Sequence, residues 1–427
     1  MRSWMYIAFA LSFFTTQFVN IRIAGQNFSM YRVYSFITII LSFLIVIPKF
    51  KFITKYTQRK TSRILNFYLF WLVYAIFSVL WVKSTFYWIR AIIFVGSGIS
   101  SILLINTYCY KKKDFIRFIR IALLIFAMLC IIGYYEIITG NYYFINQESI
   151  SSFYRLRAPV AWMGNLNDFA PIMIFSVFIF YISYANSKNM LWRSLSMIFM
   201  GLCSYLCIQS GSRGSILGLF VGILTFILVY VQRGYLKYLA IAMIAIIFLS
   251  LLFPSISNYI LDSIPNIQIN LKDPESGTTD DIRMTLIRNG LIFLRDTHGF
   301  GVGAGNIEYW MGNFQIIGHK IGYGNIHNWW FELLVGYGVI IFIGYILCFV
   351  EMMKTFYSAA KSSNDVLIKN VSLGMLCCMS SFIIASTSSS SLIGDEWLWV
   401  FFGIIIMAHN LVETEYKQNR VDIRAIS

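Results

Sequence analysis

Residues 326–350 read IHNWWFELLVGYGVIIFIGYILCFV, and this stretch decides the fold. From Asn328 to Val350 the one charged side chain is Glu332. At about 1.5 Å of rise per residue, a helix of that length crosses the hydrocarbon layer of a bilayer. Nine comparable apolar runs precede it, near 4–20, 30–48, 64–82, 86–107, 115–137, 168–185, 190–208, 213–231 and 235–253. Two more follow, near 366–386 and 396–412. Composition agrees, with 58% hydrophobic, 18% aromatic and only 12% charged residues. A soluble domain carries about 25% charged residues. The expected fold is an all-α polytopic membrane protein of about 12 transmembrane helices, a single integral membrane domain over 1–427. The first run follows only Arg2 and lacks a small-residue cleavage site, so it reads as an uncleaved span.

The formal net charge is +15. Its distribution points to topology and away from nucleic acid. Counting spans alternately, one face collects Arg2, the cluster from Lys49 to Arg63, the cluster from Lys111 to Arg120, and Lys188, Arg193, Arg233, Lys237, Lys354, Lys361, Lys369, Lys417, Arg420 and Arg424. By the positive-inside rule that face is cytoplasmic and holds both termini. The seven cysteines, Cys109, Cys130, Cys203, Cys207, Cys348, Cys377 and Cys378, all lie within or beside apolar runs. They read as small apolar packing residues, with neither disulfides nor zinc expected.

On this count the polar stretch Pro254–Ile326, between spans nine and ten, lies outside the cytoplasmic membrane, as does Thr139–Asn167. A Ser-rich connector, 386–391, leads on the same side to Asp395 and Glu396. No internal repeat is evident, which weighs against a carrier built from two related halves. Within the long loop, Asp281 to Arg295 has helical apolar spacing and is expected to lie amphipathically on the membrane surface. Gly299, Gly301, Gly303 and Gly305 then alternate, which allows close approach of backbone to a ligand or to another chain. No Gly-Lys-Ser/Thr follows, so this is no P-loop.

Several residues on the outward face could do chemistry. Arg213, within Ser210-Gly211-Ser212-Arg213-Gly214-Ser215, is either a snorkelling interface cation or a bidentate phosphate donor with space cleared around it. Arg283, Arg288 and Arg295 are solvated charges one by one, but together with Arg213 they suit a diphosphate without a metal. His327 opens a span on the same face, and an imidazole there can accept a proton from a hydroxyl. His298, His319 and His409 read as structural. Asn328, Trp329 and Trp330 follow His327; the tryptophans are interface anchors or platforms for sugar rings. Asn165-Leu166-Asn167-Asp168 is a helix cap or a substrate contact in equal measure. Carboxylates on that face (Asp168, Asp280, Asp281, Glu308, Asp395, Glu396) show no glycosidase or metal spacing. Arg32 and Arg90 are the main charges within spans, both near outer ends.

Four pieces, in order, resemble the O-antigen ligase/polymerase superfamily. They are Gly164-Asn165-Leu166-Asn167-Asp168-Phe169-Ala170; Gly211-Ser212-Arg213-Gly214-Ser215; Arg283 with Gly301-Val302-Gly303-Ala304-Gly305-Asn306; and His327-Asn328 with Gly336-Tyr337-Gly338. The resemblance covers roughly residues 157–345. It implies a GT-C-type, metal-independent, inverting glycosyltransferase that needs no cofactor. The donor would be an undecaprenyl-diphosphate-linked oligosaccharide at the outer face of the bacterial cytoplasmic membrane. Carried over by motif, Arg213 and Arg283 bind the diphosphate and His327 activates the acceptor hydroxyl. Arg157 and Arg288 add to the same basic cavity, with Asn167, Asn328, Gly303 and Gly305 as further substrate contacts. The expected partners are the lipid-linked glycan, the bilayer, a chain-length regulator and a flippase. The expected reaction is polymerisation of surface-polysaccharide repeat units. The alternatives are ligation of the finished glycan to lipid A core, protein or wall, and export of the lipid-linked glycan. At the position where family ligases often carry a second glycine, threonine or tyrosine, this chain has Ile341, and Val335 stands where an acidic residue commonly precedes the paired glycines.

Overall fold

The computed structural model describes residues 1–15, 21–23, 26–46, 57–144, 158–230, 234, 238, 279–317, 324–387 and 392–426. The architecture is helical. In chain order the helices are α1 (Arg2–Ser12), α2 (Met30–Val46), α3 (Arg59–Phe77), α4 (Thr85–Tyr108), α5 (Lys112–Thr139), α6 (Leu166–Asn186), α7 (Met190–Gln209) and α8 (Arg213–Tyr230). They continue with α9 (Thr279–Asp296), α10 (Ile307–Phe314), α11 (Trp329–Ser362), α12 (Val366–Ala385) and α13 (Glu396–Ile426). The departure from all-helical structure is a hairpin of two three-residue strands, β1 (Ile21–Ile23) and β2 (Gln26–Phe28), paired antiparallel with Ile21 opposite Phe28.

Among the described residues nine helices are long and apolar enough to cross a membrane. They are α3–α8 and α11–α13, and they coincide with nine of the twelve expected spans. The other three runs differ: α1 has 11 residues, α2 has 17, and the run at 235–253 lies outside the described residues except for Tyr238. Lipid offers no hydrogen bonds to exposed peptide groups, so continuous helices are the form these runs must take.

The chain divides into two compact units: Met1–Phe118 with Pro274–Thr355 and Ser389–Ser427, and Ile119–Asp273 with Phe356–Ser388. In the first unit α13 packs along α4 and also touches α1 and α3. Gly98 of α4 leaves the space that the ring of Trp399 fills. Trp71, Tyr337, Tyr345, Trp399, Trp329 and Phe402 form one aromatic core joining α3, α11 and α13, with ring centroids 5.3–6.4 Å apart. Such pairs add about 0.5–1.5 kcal/mol each beyond their buried area. Trp329 is therefore core, buried to 2% exposure, and the ring of Trp330 packs on Tyr345 and Phe349. Neither tryptophan is a bare platform for a sugar. At the far end of α13 the His409 ring lies 2.8 Å from the Thr61 hydroxyl and 3.1 Å from that of Thr355, which ties α3, α11 and α13 together. This is the structural role expected of it.

In the second unit α6 packs on α7 and α12, and α8 packs closely on α12. Gly214, Gly218 and Gly222 recur every fourth residue along α8. A Cβ at Gly218 would sit 2.8 Å from the Ser381 carbonyl oxygen, and one at Gly222 would collide with Ser381 and Phe178. Small residues at this spacing let two helices approach within lipid, where close packing supplies most of the attraction. Cys203, Cys207, Cys377 and Cys378 are all buried in this unit as small apolar residues.

Candidate functional site

The segment from α9 to the start of α11 is built around its own small core. Thr279, Asp280 and Asp281 open α9 with two acidic residues, which suits the positive end of a helix dipole. Leu286 and Phe293 on its apolar face are buried against Val302, Ile307, Trp310, Met311, Ile326 and Val335. The helix thus forms where its spacing predicted. Part of its apolar face is covered by this cluster, while Met284 and Leu291 on the same helix stay exposed.

Buried Asn289, near the middle of α9, clasps the chain that follows α10. Its Oδ1 accepts from the backbone N–H groups of Ile316 and Ile317 at 2.9 and 3.0 Å, and its Nδ2 donates to the Ile317 carbonyl at 3.0 Å. Replacing Asn289 by alanine orphans both N–H groups, at about 1–3 kcal/mol for each that stays buried. The expected outcome is a lower melting temperature in detergent and faster amide exchange at 316–317. Asn289→Asp keeps the acceptor and loses the donor, so it should fall between alanine and the native protein.

The glycine run meets α11. The Val302 and Gly303 N–H groups donate to the Val335 and Gly336 carbonyls at 2.8 and 3.0 Å, and the Val339 N–H donates to the Gly299 carbonyl at 2.9 Å. Helix α11 breaks locally at Gly338, with φ +78° and ψ 177°, to present these groups. The close approach expected of the glycines is therefore to the protein's own backbone. Gly303 packs against Val82 and Ser78, and a Cβ on Gly305 would lie 2.5 Å from the Tyr87 carbonyl oxygen. Asn306 fastens the end of the run, accepting from the Ser84 N–H at 2.8 Å and donating to the Ser84 carbonyl at 3.1 Å.

His327 stands between this scaffold and α11. Gly290 lets α9 pack directly on Ile326, one residue earlier. Asn328 caps α11, its Oδ1 accepting from the Trp330 and Phe331 N–H groups at 3.1 and 3.3 Å. That places His327 at φ +56°, in the left-handed region that histidine enters more readily than most residues. Its side chain is half-buried. Burial, and then the positive charge of Arg283, lower its pKa below the ordinary imidazole value. The ring is therefore neutral, and able to take a proton, over a wider acid range than a free histidine. Arg283 is half-buried on the first turns of α9, whereas Arg288 is exposed. Arg295 is exposed and bonds to Asp296 at 3.0 Å.

In the second unit, Arg213 is the first residue of α8 and is exposed. Gly211 turns the chain with φ +66°, and the Ser212 hydroxyl donates to that of Ser215 at 3.1 Å. A helix N-terminus presents free N–H groups and partial positive charge; a guanidinium added there favours an anion. Asn165 caps α6 by accepting from the Asn167 N–H at 2.9 Å, so this motif does its capping work, with Asn167 half-buried in the first turn. Arg157 and His319 lie outside the described residues.

The structure adds a feature that sequence reading passed over. In the first unit a cavity of about 310 Å³ is lined by Arg32, Arg90, Glu308, Asn325, Glu332 and Asp395, with Tyr87, Phe94 and Tyr337 among its aromatic walls. Arg32 pairs with Glu396 at 2.6 Å and Arg90 with Glu308 at 3.6 Å. The signal in the sequence was two arginines in apolar runs and four scattered carboxylates; the 364 positions between Arg32 and Glu396 hid the pairing.

Residues 198–346 match the family model described as O-antigen ligase. The chain is also 27% identical, over 415 residues, to the teichuronic acid biosynthesis protein TuaE of Bacillus subtilis (strain 168), a match covering 96% of this chain and 84% of that protein.

Proposed function

We propose, from the premise of the O-antigen ligase/polymerase superfamily, that this protein is a polymerase joining undecaprenyl-diphosphate-linked repeat units of a surface polysaccharide. The observation that carries the reading is His327: a half-buried imidazole kept neutral by burial and by Arg283, on a backbone fixed by the Asn328 cap. In the proposed step the His327 ring takes the proton of an acceptor hydroxyl. The oxygen attacks the anomeric carbon of the donor sugar from the face opposite the phosphate. The bond from that carbon to the phosphate oxygen breaks, its electron pair leaves with undecaprenyl diphosphate, and configuration inverts. Arg283, in the same unit as His327, meets the developing charge on the diphosphate, with Arg288 as further positive charge. Fixed guanidinium groups suit this role because they stay charged and donate in pairs. The reaction would face outward from the bacterial cytoplasmic membrane, with both termini inside.

Ligation is the second reading, favoured by the description of the matched family. Purified protein given only lipid-linked repeat units forms a ladder of longer products if it is a polymerase. It requires an added lipid A core, protein or wall acceptor if it is a ligase. In the same assay the pH dependence tests the site. A base works only when neutral, so transfer is lost as pH falls through the lowered pKa of His327, below the ordinary value of about 6.5. Arg283→Gln removes the repelling charge, raises that pKa and moves the acid limb to higher pH, whereas Arg283→Lys keeps it in place. An acid limb that stays put in Arg283→Gln contradicts the pairing of these two residues.

A further inference from the structure

The step just described assigns no role to the residues that line the 310 Å³ cavity of the first unit. We infer that it is the acceptor subsite and that it holds an uncharged sugar ring of the glycan, an inference that rests on the transfer reading above. Cavities that bind small molecules start at about 300 Å³, and this one sits at that lower bound, the scale of a short glycan segment.

Charge selects the kind of ligand. Arg32 is matched by Glu396 at 2.6 Å and Arg90 by Glu308 at 3.6 Å. Both guanidinium groups also lie over the Phe94 ring, 4.4 and 5.6 Å from its centroid. Glu332 and Asp395 add two further carboxylates to the wall. The positive charge is thus already countered, and a diphosphate entering here would meet an excess of acidic groups. A neutral sugar meets complementary ones. Its hydroxyls can donate to carboxylates and accept from guanidinium groups and the Asn325 amide, and its C–H face can rest on the ring of Tyr87. Location agrees with the role. Asn325 precedes His327 by two residues and Glu332 follows it by five, while Gly305 and Glu308 come from the scaffold that carries the loop.

The test uses the full-length protein in nanodiscs. The probe is the free repeat oligosaccharide released by mild acid from the cell's own lipid-linked intermediate. Calorimetric titration should show binding, weakened at least tenfold in the double variant Arg90→Gln/Glu308→Gln and at least threefold in Asp395→Asn, with unchanged melting temperatures. Undecaprenyl diphosphate without glycan should leave probe binding unaltered. No binding at millimolar probe, unaltered binding in both variants, or competition by undecaprenyl diphosphate overturns the inference. The two readings fail separately. If the cavity variants bind and transfer normally while His327→Ala has lost transfer, the subsite falls and the transfer reading stands. If His327→Ala still transfers while the cavity variants lose the probe, the base assignment falls instead.

Discussion

Replacing His327 by alanine should lower glycan transfer by about 10²- to 10⁴-fold, the usual contribution of a positioned general base. The expectation follows from two properties of the residue. Its ring is neutral because burial and Arg283 disfavour the imidazolium, so it is in the reactive form at ordinary pH. Its direction is fixed because the next residue caps α11 and the residue before it is buried beneath α9. Alanine at φ +56° brings a backbone cost of its own, about 1–2 kcal/mol. Asparagine tolerates that conformation and cannot serve as a base. His327→Asn should therefore match His327→Ala in lost transfer while melting close to the native protein. Transfer retained in His327→Asn would remove the residue from the chemistry, whatever its effect on stability.

Gly338→Ala should be strongly damaging. With φ +78° and ψ 177°, Gly338 occupies a region that is essentially restricted to glycine, costing other residues about 1–3 kcal/mol. A Cβ there would also lie 2.5 Å from the Gly299 carbonyl oxygen and from Phe300 backbone atoms. Overpacking of that sort adds about 1–3 kcal/mol. The sum, about 2–6 kcal/mol, would separate the glycine run from α11 and disturb the bonds from Val302, Gly303 and Val339. Gly336 provides the contrast. A Cβ on it meets only Ile307 Cδ1 at 3.5 Å, so Gly336→Ala should shift stability by no more than about 1 kcal/mol. Thermal melting of both variants in one detergent decides the matter; equal effects would refute the account of the kink.

Gly336-Tyr337-Gly338 shows where sequence reading stops. Both glycines belong to the motif, and nothing in their order says that one marks a break in the helix while the other is ordinary helix. Asn328 is similar. Its place after His327 suggested substrate contact, and the structure gives it the cap of α11. Asn165 was open between cap and contact, and its bond to the Asn167 N–H makes it a cap. The amphipathic pattern of α9 was legible, but its partner was not: an apolar stripe requires cover without specifying lipid or protein. Arg32 and Arg90 stood out as charges in apolar runs, yet their partners Glu396 and Glu308 are remote in sequence.

Hydropathy alone makes this chain a helical membrane protein. The sequence also placed a polar loop ending at His327 and singled out the residues that carry its family likeness. Those features are local: a run of apolar side chains must become a helix in lipid, whatever surrounds it. Only the tertiary structure decided what the charged and glycine residues touch. It seated the glycine run on α11, covered α9 with a cluster of its own, set Arg283 near enough to His327 to lower its pKa, and gathered Arg32, Arg90 and their carboxylates around one cavity. These pairings join positions that are distant in the chain. Hydropathy has no term for them, and they form only when the helices pack.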